Sequence, residues 1–297
     1  MEIGHFLQHL TNALALGSLY ALIAIGYTMV YGILRFINFA HGEVFMMGCY
    51  LAFYAVTLWL LPWPAAFVVA LGLTGILGVS IERVAYRPLR NSPRISILIS
   101  AIGVSFLMQN LAIVMFTGMP RSFPVPPVFD QILEFGEVRV MNVSLIIPVI
   151  TVVLLLILRH IVQNTKTGIA MRAVATDLPA ARLMGVDVNK VVSFTFGVGT
   201  VLAAVGGVMW ALRYPMLNPT MGLMPGLKCF IAAVIGGVGS ISGAVLGGML
   251  LGFLEIMIVA FMPDLSGYRD AFAFVLLIIV LLVKPSGLLG KHQIEKV

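Results

Sequence analysis

Long apolar runs without polar interruption make up most of this 297-residue chain. A membrane-spanning helix needs about 20 mainly apolar residues, and several of the runs reach that length. Strands of a membrane barrel would alternate apolar and polar residues, and these runs do not alternate. Because a helix satisfies its own backbone hydrogen bonds in lipid, the runs predict transmembrane helices.

The composition supports the same class of protein. Hydrophobic residues make up 60% of the chain and charged residues 10%. A soluble domain carries about 25% charged residues, so too few polar side chains are present here to cover a water-facing surface. The chain is therefore predicted to be an all-α polytopic membrane protein, with residues 1–297 forming a single transmembrane domain.

The number of spans depends on how the apolar stretches are divided. They lie at 9–33, 44–61, 65–81, 95–117, 143–158, 191–212, 226–262 and 271–283. The stretch 226–262 is long enough for two spans if its Gly-rich centre turns the chain. This division predicts nine spans, and eight spans with one re-entrant piece is the alternative.

Lys and Arg residues are concentrated between the apolar runs. The loops 83–94 and 159–190 and the C-terminal tail are rich in them. Since cytoplasmic loops carry an excess of Lys and Arg, all three are predicted to be cytoplasmic, with the N-terminus outside. The net charge of +6 thus reflects membrane topology, and no nucleic-acid partner is expected.

Two breaks in the apolar pattern are rich in small and polar residues. They are NFAHGE (Asn38–Glu43) and GGVGSISGAVLGG (236–248). Matching breaks in two halves indicate a transporter built from two inverted repeats, whose broken or re-entrant helices line the pathway. The alternative is that Gly and Ser only allow close helix packing. The candidate pathway residues are Asn38, His41, Gly42, Glu43, Gly237, Gly239 and Ser240.

Polar residues inside the apolar runs allow more than one interpretation. His41 and Glu43 are compatible with a proton relay or a metal site, whereas Asn38 or His41 could instead satisfy freed backbone groups and cap the following helix. Gln109 and Asn110 either join helices or line a pathway. The sequence contains no P-loop and no common hydrolase or metalloprotease motif, so neither a cofactor nor a metal is expected.

The segment 166–189 is polar and helix-forming although apolar runs flank it. Asp177 is a typical N-cap, Pro179 suits a first helical turn and Gly185 can end a helix. This pattern predicts a helix, a turn and a short cytoplasmic helix, which is either a docking element for another protein or a connector. The candidate coupling residues are Arg172, Asp177, Ala180, Ala181, Arg182 and Gly185.

The sequence GIAMRAVATDLPAARLMGVDV (Gly168–Val188), taken with the two breaks, resembles the permease subunits of bacterial ATP-binding-cassette importers, and most closely the LivH-type branched-chain amino acid permeases. In that family a cytoplasmic loop has the general form E-A-A followed by Gly. Ala180, Ala181 and Gly185 keep this spacing, and Pro179 stands in place of the Glu. The resemblance extends over essentially the whole chain.

This resemblance implies a transport subunit of the bacterial inner membrane that is not itself an enzyme. The expected partners are a second, homologous permease subunit in a heterodimer, two cytoplasmic ATPase subunits on the segment 166–189, and an extracytoplasmic substrate-binding protein. The implied substrate is a branched-chain or other apolar amino acid. The alternatives are a permease for urea or short amides and an ion-coupled secondary transporter, although Glu255 is the only acidic residue deep in an apolar run.

Overall fold

The computed structural model describes residues 3–136 and 138–290. Its helices are α1 (Ile3–Leu34), α2 (His41–Thr57), α3 (Trp63–Ile81), α4 (Arg94–Phe116), α5 (Pro127–Asp130), α6 (Asn142–Asn164), α7 (Lys166–Thr176), α8 (Leu178–Leu183), α9 (Val188–Arg213), α10 (Leu223–Gly236), α11 (Ile241–Phe261) and α12 (Arg269–Val283). A π-helical turn, Glu82–Tyr86, extends α3, and a 3-10 segment, Pro263–Tyr268, precedes α12.

Four short strands lie in the connections. They are β1 (Arg121–Ser122), β2 (Ile132–Phe135), β3 (Val138–Met141) and β4 (Met216–Leu217). Strand β1 pairs with β4 and β2 pairs with β3, both antiparallel. The first pair ties the connection after α4 to the connection after α9, so these two loops lie at the same end of the helix bundle.

The prediction of an all-α polytopic membrane protein is confirmed. Within the described residues, seven helical segments are long and apolar enough to cross a membrane: 4–34, 63–86, 94–116, 142–164, 188–213, 241–261 and 263–283. The count of nine spans is not confirmed. All nine predicted segments are helical, but α2 has 17 residues and α10 has 14, fewer than the roughly 20 that a span needs.

Helix α1 is the central helix of the bundle, with 94% of its most apolar stretch buried. It packs against α6, α9, α10 and α11. Its contact with α11 depends on small residues, because a methyl group on Gly248 would lie 2.4 Å from the backbone nitrogen of Ala21 and one on Gly252 would lie 2.3 Å from that of Gly17. Small residues let transmembrane helices approach to backbone contact, which explains this close pair.

The two short helices begin deep inside the bundle. After α1 ends, residues 35–40 turn back, and Nε2 of His41 lies 3.2 Å from the carbonyl oxygen of Ile23. Along the axis of α1, Ile23 lies about 16 Å from Leu34, the last residue of the helix, at a rise of 1.5 Å per residue. Helix α10 begins against the start of α2, through Gly222 and Gly226. Both are therefore half-helices that start at the same depth inside the bundle.

The half-helices run in opposite directions from their common starting point. Helix α10 ends near the C-terminal end of α1, where a methyl group on Gly32 would lie 3.6 Å from Gly239. Helix α2 ends beside the loop after α4, where the Arg121 guanidinium lies over the rings of Phe53 and Tyr54. This arrangement has the pseudo-symmetric form that inverted repeats produce.

The chain after α12 folds back onto the end of α10. The backbone N–H groups of Leu288 and Leu289 donate to the carbonyls of Ile235 and Gly236 at 2.8 Å. These bonds satisfy carbonyl groups that a helix end otherwise leaves unpaired. The remaining part of the Lys-containing tail, 291–297, lies outside the described residues.

Candidate functional site

The first turns of α2 and α10 meet through glycine backbones at a point that we call the half-helix junction (Gly42, Gly222 and Gly226). A methyl group on Gly42 would lie 2.3 Å from the carbonyl oxygen of Gly222 and 2.9 Å from the Cα of Gly226. Only glycine permits this contact, because a Cβ on either helix would overlap the other backbone. The N-terminal ends of two helix dipoles, which are positive, thus converge within the bundle.

Glu43 is buried beside the junction, with 1% of its surface exposed. Its Oε1 accepts hydrogen bonds from Nε2 of Gln109 at 3.1 Å and from Oγ of Ser105 at 3.4 Å. Its Oε2 has no hydrogen-bond partner in the described part of the chain and faces Gly222, where a methyl group would lie 3.0 Å away. Gln109 therefore joins α4 to α2, and the carboxyl group lies where helix dipoles favour negative charge.

Asn38 and His41 connect the first break to neighbouring elements. The hydroxyl of Tyr86 donates to Oδ1 of Asn38 at 2.8 Å, and His41 bonds to the Ile23 carbonyl. The expectation that one of them caps α2 is wrong, because the N-cap residue is Ala40 and no side chain caps this helix. The start of α2 is instead held by contact with α1 and with the π-helical turn after α3.

The second predicted break lies away from the junction. Gly237 and Gly239 have φ of +109° and +88°, a region that glycine occupies without strain. Oγ of Ser240 accepts from the Gly243 N–H at 3.1 Å and caps α11. This turn lies at the far end of α10, about 16 Å from Gly226 at 1.5 Å per residue. The structure therefore does not bring it to NFAHGE, and Gly222, just before α10, meets that break instead.

Residues around the start of α10 are open on one side. Leu223 is 46% exposed and Met224 is 47% exposed, and Thr220 is exposed as well. On α4, Asn110 is exposed and its side chain donates to the Phe106 carbonyl. The face of the bundle that contains the junction therefore combines apolar side chains, polar side chains and irregular backbone.

The predicted helix, turn, short helix and stop are confirmed between 166 and 185. Oδ1 of Asp177 accepts from the Ala180 N–H at 2.9 Å, and Pro179 lies in the first turn of α8. Gly185 then follows with φ of +81°. The N-cap, the proline and the left-handed glycine act through local geometry, so their sequence positions predict this structure directly.

The buried and exposed faces of α8 are not the ones that the sequence predicted. Ala181 is 4% exposed and packs inward, so it is not the surface contact that its motif position predicts. Leu183 and Met184 are 89% and 84% exposed, and Arg182 is exposed beside them. Sequence reasoning missed this apolar pair, although its position immediately before the helix-ending glycine was a usable signal.

Arg172 has a local structural role. Its guanidinium donates to the carbonyls of Val162 and Gln163 at the end of α6. These bonds pair carbonyls that the helix end leaves free, as a cation near a helix C-terminus commonly does. Arg172 therefore fixes the angle between α6 and α7 and positions the segment that carries α8.

A continuous set of contacts joins α8 to the first break. The Arg35 guanidinium donates to the Ala175 carbonyl at 3.0 Å. Leu178 and Tyr86 line the same cavity of about 110 Å³. Tyr86 also bonds to Asn38, so the cavity beside Leu178 borders a residue that contacts the first break.

Glu82 holds the π-helical turn to α9. Its buried carboxylate accepts from Arg87 at 2.7 Å, from Arg90 at 2.8 Å and from Oγ of Ser193 at 2.8 Å. The hydrogen bond to Glu82 raises the pKa of Arg87, whereas burial lowers the pKa of Arg90. This cluster sets the position of Tyr86, and its members were not singled out from the sequence as a site.

Glu255 is not an isolated membrane carboxylate. Nζ of Lys228 lies 2.9 Å from Glu255 and 2.6 Å from Asp270. The Tyr20 hydroxyl donates to Glu255 at 3.0 Å. Buried charges are retained when they are paired in this way, so the cluster ties α1, α10, α11 and α12 together.

Known proteins resemble this chain in sequence over nearly its whole length. The family model described as "Branched-chain amino acid transport system / permease component" matches residues 9–281. The chain is 45% identical to the permease protein BraD of Pseudomonas aeruginosa over 100% of this chain and 99% of that one. It is 44% identical to the permease protein LivH of Escherichia coli over 99% and 98%. Both relatives are named as high-affinity branched-chain amino acid transport permeases.

One solved structure has a similar fold at low sequence identity. It is PsaBC from Streptococcus pneumoniae in complex with Fab, with a TM-score of 0.51, 15% identity, and coverage of 94% of this chain and 92% of that one. This likeness concerns the fold alone. From the family match and the two close relatives, the chain belongs to the family of branched-chain amino acid transport permease components.

Proposed function

We propose that this chain forms part of the transmembrane pathway of an ATP-binding-cassette importer for branched-chain amino acids. Its family membership and its relatives BraD and LivH support the substrate class. As a permease component the chain is not an enzyme, and partner subunits hydrolyse the ATP. Residues 1–297 act as one membrane domain in a bacterial inner membrane, with the N-terminus outside and the C-terminus in the cytoplasm.

The observation that carries the pathway assignment is the open side of the half-helix junction. Irregular backbone at membrane depth is tolerated where protein or a water-filled cavity covers it, and it does not face lipid. The exposed residues Thr220, Leu223 and Met224 therefore require a cover. A second, homologous permease subunit facing this side would provide it and would enclose a pathway between the two subunits.

The proposed pathway residues lie at the half-helix junction and at the end of the second half-helix. Asn38, His41, Gly42 and Glu43 shape one side of the junction, and Gly222 and Gly226 shape the other. Gly237, Gly239 and Ser240 act as the turn that ends the second half-helix. A junction of two helix N-termini beside a carboxyl group offers both signs of charge to a zwitterionic amino acid.

The segment 166–189 is the proposed coupling segment for the ATPases. Two cytoplasmic ATPase subunits would dock on the permease pair, one on each α8, with Ala180, Arg182, Leu183 and Met184 as the contact surface. An extracytoplasmic substrate-binding protein would deliver the amino acid to the opposite end. Arg172, Asp177, Ala181 and Gly185 hold α8 in its docking orientation.

Movement of α8 would reach the junction through two contacts. Arg35 bonds to the end of α7, and Tyr86 links the cavity beneath Leu178 to Asn38. Both contacts lie at the break that precedes α2. Closure of the ATPase pair would therefore tilt this half-helix and alternate access to the junction.

Two other transport classes make different predictions. A permease for urea or short amides would use the same fold with a different substrate. An ion-coupled transporter would need a titratable group that exchanges its partner; Glu255 is paired with Lys228, and Glu43 accepts hydrogen bonds from Gln109 and Ser105. Uptake measurements separate all three classes.

The test uses the chain co-expressed with its partner subunits and reconstituted with the binding protein in proteoliposomes. We expect saturable uptake of radiolabelled leucine that needs enclosed ATP, competes with valine and does not respond to an ion gradient. Uptake of urea or acetamide in preference to leucine would contradict the substrate assignment. Leucine uptake that is driven by an ion gradient without ATP would contradict the transporter class.

A further inference from the structure

An apolar groove runs along the side of the bundle where α3, α6 and α9 come together. We call it the α3–α9 groove; its walls are residues 72–83, 154–161 and 193–202, and its volume is about 730 Å³. The half-helix junction is formed by α2, α10 and the adjoining α4, so the groove lies on different helices. Its walls are almost entirely aliphatic side chains and glycines.

Glycines lie along the walls of the groove. A methyl group on Gly72 would meet nothing within 4 Å, whereas one on Gly75 would lie in tight contact with Val201, at 3.1 Å. On α9, a methyl group on Gly197 would lie 3.3 Å from Val79. Gly72 therefore borders open apolar space beside exposed Ile76, and Gly75 and Gly197 let α3 and α9 pack closely.

One end of the groove carries an uncompensated positive charge. Arg83 is exposed and lines this end together with Ser80 and Ser193. No ion pair or hydrogen bond of Arg83 is present among residues 3–136 and 138–290. Its neighbours Arg87 and Arg90 are already bound to Glu82. An arginine at the rim of an aliphatic groove matches a ligand with a phosphate at one end and a hydrocarbon chain at the other.

We propose that the α3–α9 groove is a binding site for an anionic phospholipid. One acyl chain lies along the glycines of α3 and α9, and the phosphate accepts hydrogen bonds from the Arg83 guanidinium. Basic pockets between transmembrane helices bind anionic lipid headgroups in this way. The proposal needs only the membrane location of the chain, and it is independent of the transported substrate.

A lipid is favoured over a protein helix as the occupant for two reasons. The junction face has irregular backbone that a partner subunit must cover, whereas the groove walls are regular helices that tolerate lipid. A membrane helix that filled the groove would also meet the unpaired charge of Arg83, which lipid phosphate neutralises. A partner helix in the groove is therefore an outcome that the test has to detect.

Native mass spectrometry of the assembled transporter tests this site with added phosphatidylglycerol and phosphatidylethanolamine of identical acyl chains. We expect the tightest lipid position to prefer phosphatidylglycerol by about fivefold, because both lipids offer a phosphate to Arg83 but the ammonium group of phosphatidylethanolamine opposes its positive charge. Arg83→Gln should remove this preference while acyl-chain binding persists. Gly72→Leu adds a bulky apolar side chain where a Cβ would meet nothing within 4 Å, and it should remove binding of both lipids at this position.

Arg94→Gln is the matched control, because it removes an exposed arginine that does not line the groove. It should leave lipid retention unchanged. Equal retention of both lipids by wild type, Arg83→Gln and Gly72→Leu would overturn the proposal. If Gly72→Leu instead releases the second permease subunit with lipid retention intact, the groove is a protein interface and the lipid site is wrong.

Discussion

Replacement of Leu183 by Asp is expected to release the ATPase subunits from the permease. Leu183 is 89% exposed at the end of α8, where a partner groove would bury it. Loss of a central apolar contact at an interface costs about 2–4 kcal/mol of binding free energy, and each 1.4 kcal/mol lowers the affinity about tenfold. An added carboxylate would also be buried without a partner. Co-purification of the ATPases with the tagged permease should fall by about thirtyfold or more, with loss of uptake.

Val128→Asp provides the matched control for this experiment. Val128 is 60% exposed in α5, which lies in the connection after α4 rather than in the coupling segment. The same change of charge and polarity there should leave ATPase recovery at the wild-type level. Retention of the ATPases by Leu183→Asp, with normal yield of the permease, would show that α8 is a connector and not a docking element.

Replacement of Gly42 by Ala is expected to abolish uptake although it adds only one methyl group. The new Cβ would lie 2.3 Å from the Gly222 carbonyl oxygen, so the half-helices would have to separate by about 1 Å to reach van der Waals distance. Overpacking of this kind costs about 1–3 kcal/mol. Because the proposed pathway passes where these half-helices meet, leucine uptake in proteoliposomes should fall by at least about tenfold.

Two other glycines separate this effect from a general intolerance of alanine. Gly72→Ala adds the same methyl group to α3 where nothing lies within 4 Å, and its uptake should equal that of wild type. In Gly239→Ala the added methyl group has space, but a non-glycine residue must adopt φ of +88°, which costs about 1–2 kcal/mol. Its uptake should be reduced less than that of Gly42→Ala. Normal uptake by Gly42→Ala would refute the importance of the junction.

Local signals in the sequence predicted the helix, turn and short helix between 166 and 185 well. The N-cap Asp177, the first-turn Pro179 and the left-handed Gly185 each act within a few residues, so their spacing alone defines α8. The orientation of its faces was not predictable in the same way. Whether Ala181 points inward depends on the helices against which α8 packs, and this information is distributed over the whole chain.

Long-range pairing explains why the partner of the first break was not predictable. Both breaks were identified, but Gly42 meets Gly222, which is 180 residues away in sequence, and not the turn at Gly237. The segment before α10 contains ordinary turn residues and no Gly-rich motif. Similarly, the pairing of Lys228 with Glu255 appears only when α10 and α11 pack side by side.

The most direct test of the pathway is the reactivity of single cysteines at the half-helix junction toward a charged, water-soluble thiol reagent. The native Cys49 and Cys229 are buried, which keeps background labelling low. The variants are Leu223→Cys and Met224→Cys, with Ile278→Cys on the exposed face of α12 as the lipid-facing control.

The pathway assignment predicts that both junction cysteines react in the assembled transporter and that ATP trapped on the ATPases changes the side of the membrane from which the reagent reaches them. The control cysteine should stay unreactive, because a thiol in lipid is not ionised. Junction cysteines that remain as unreactive as the control, with and without ATP, would contradict a water-accessible pathway at this point.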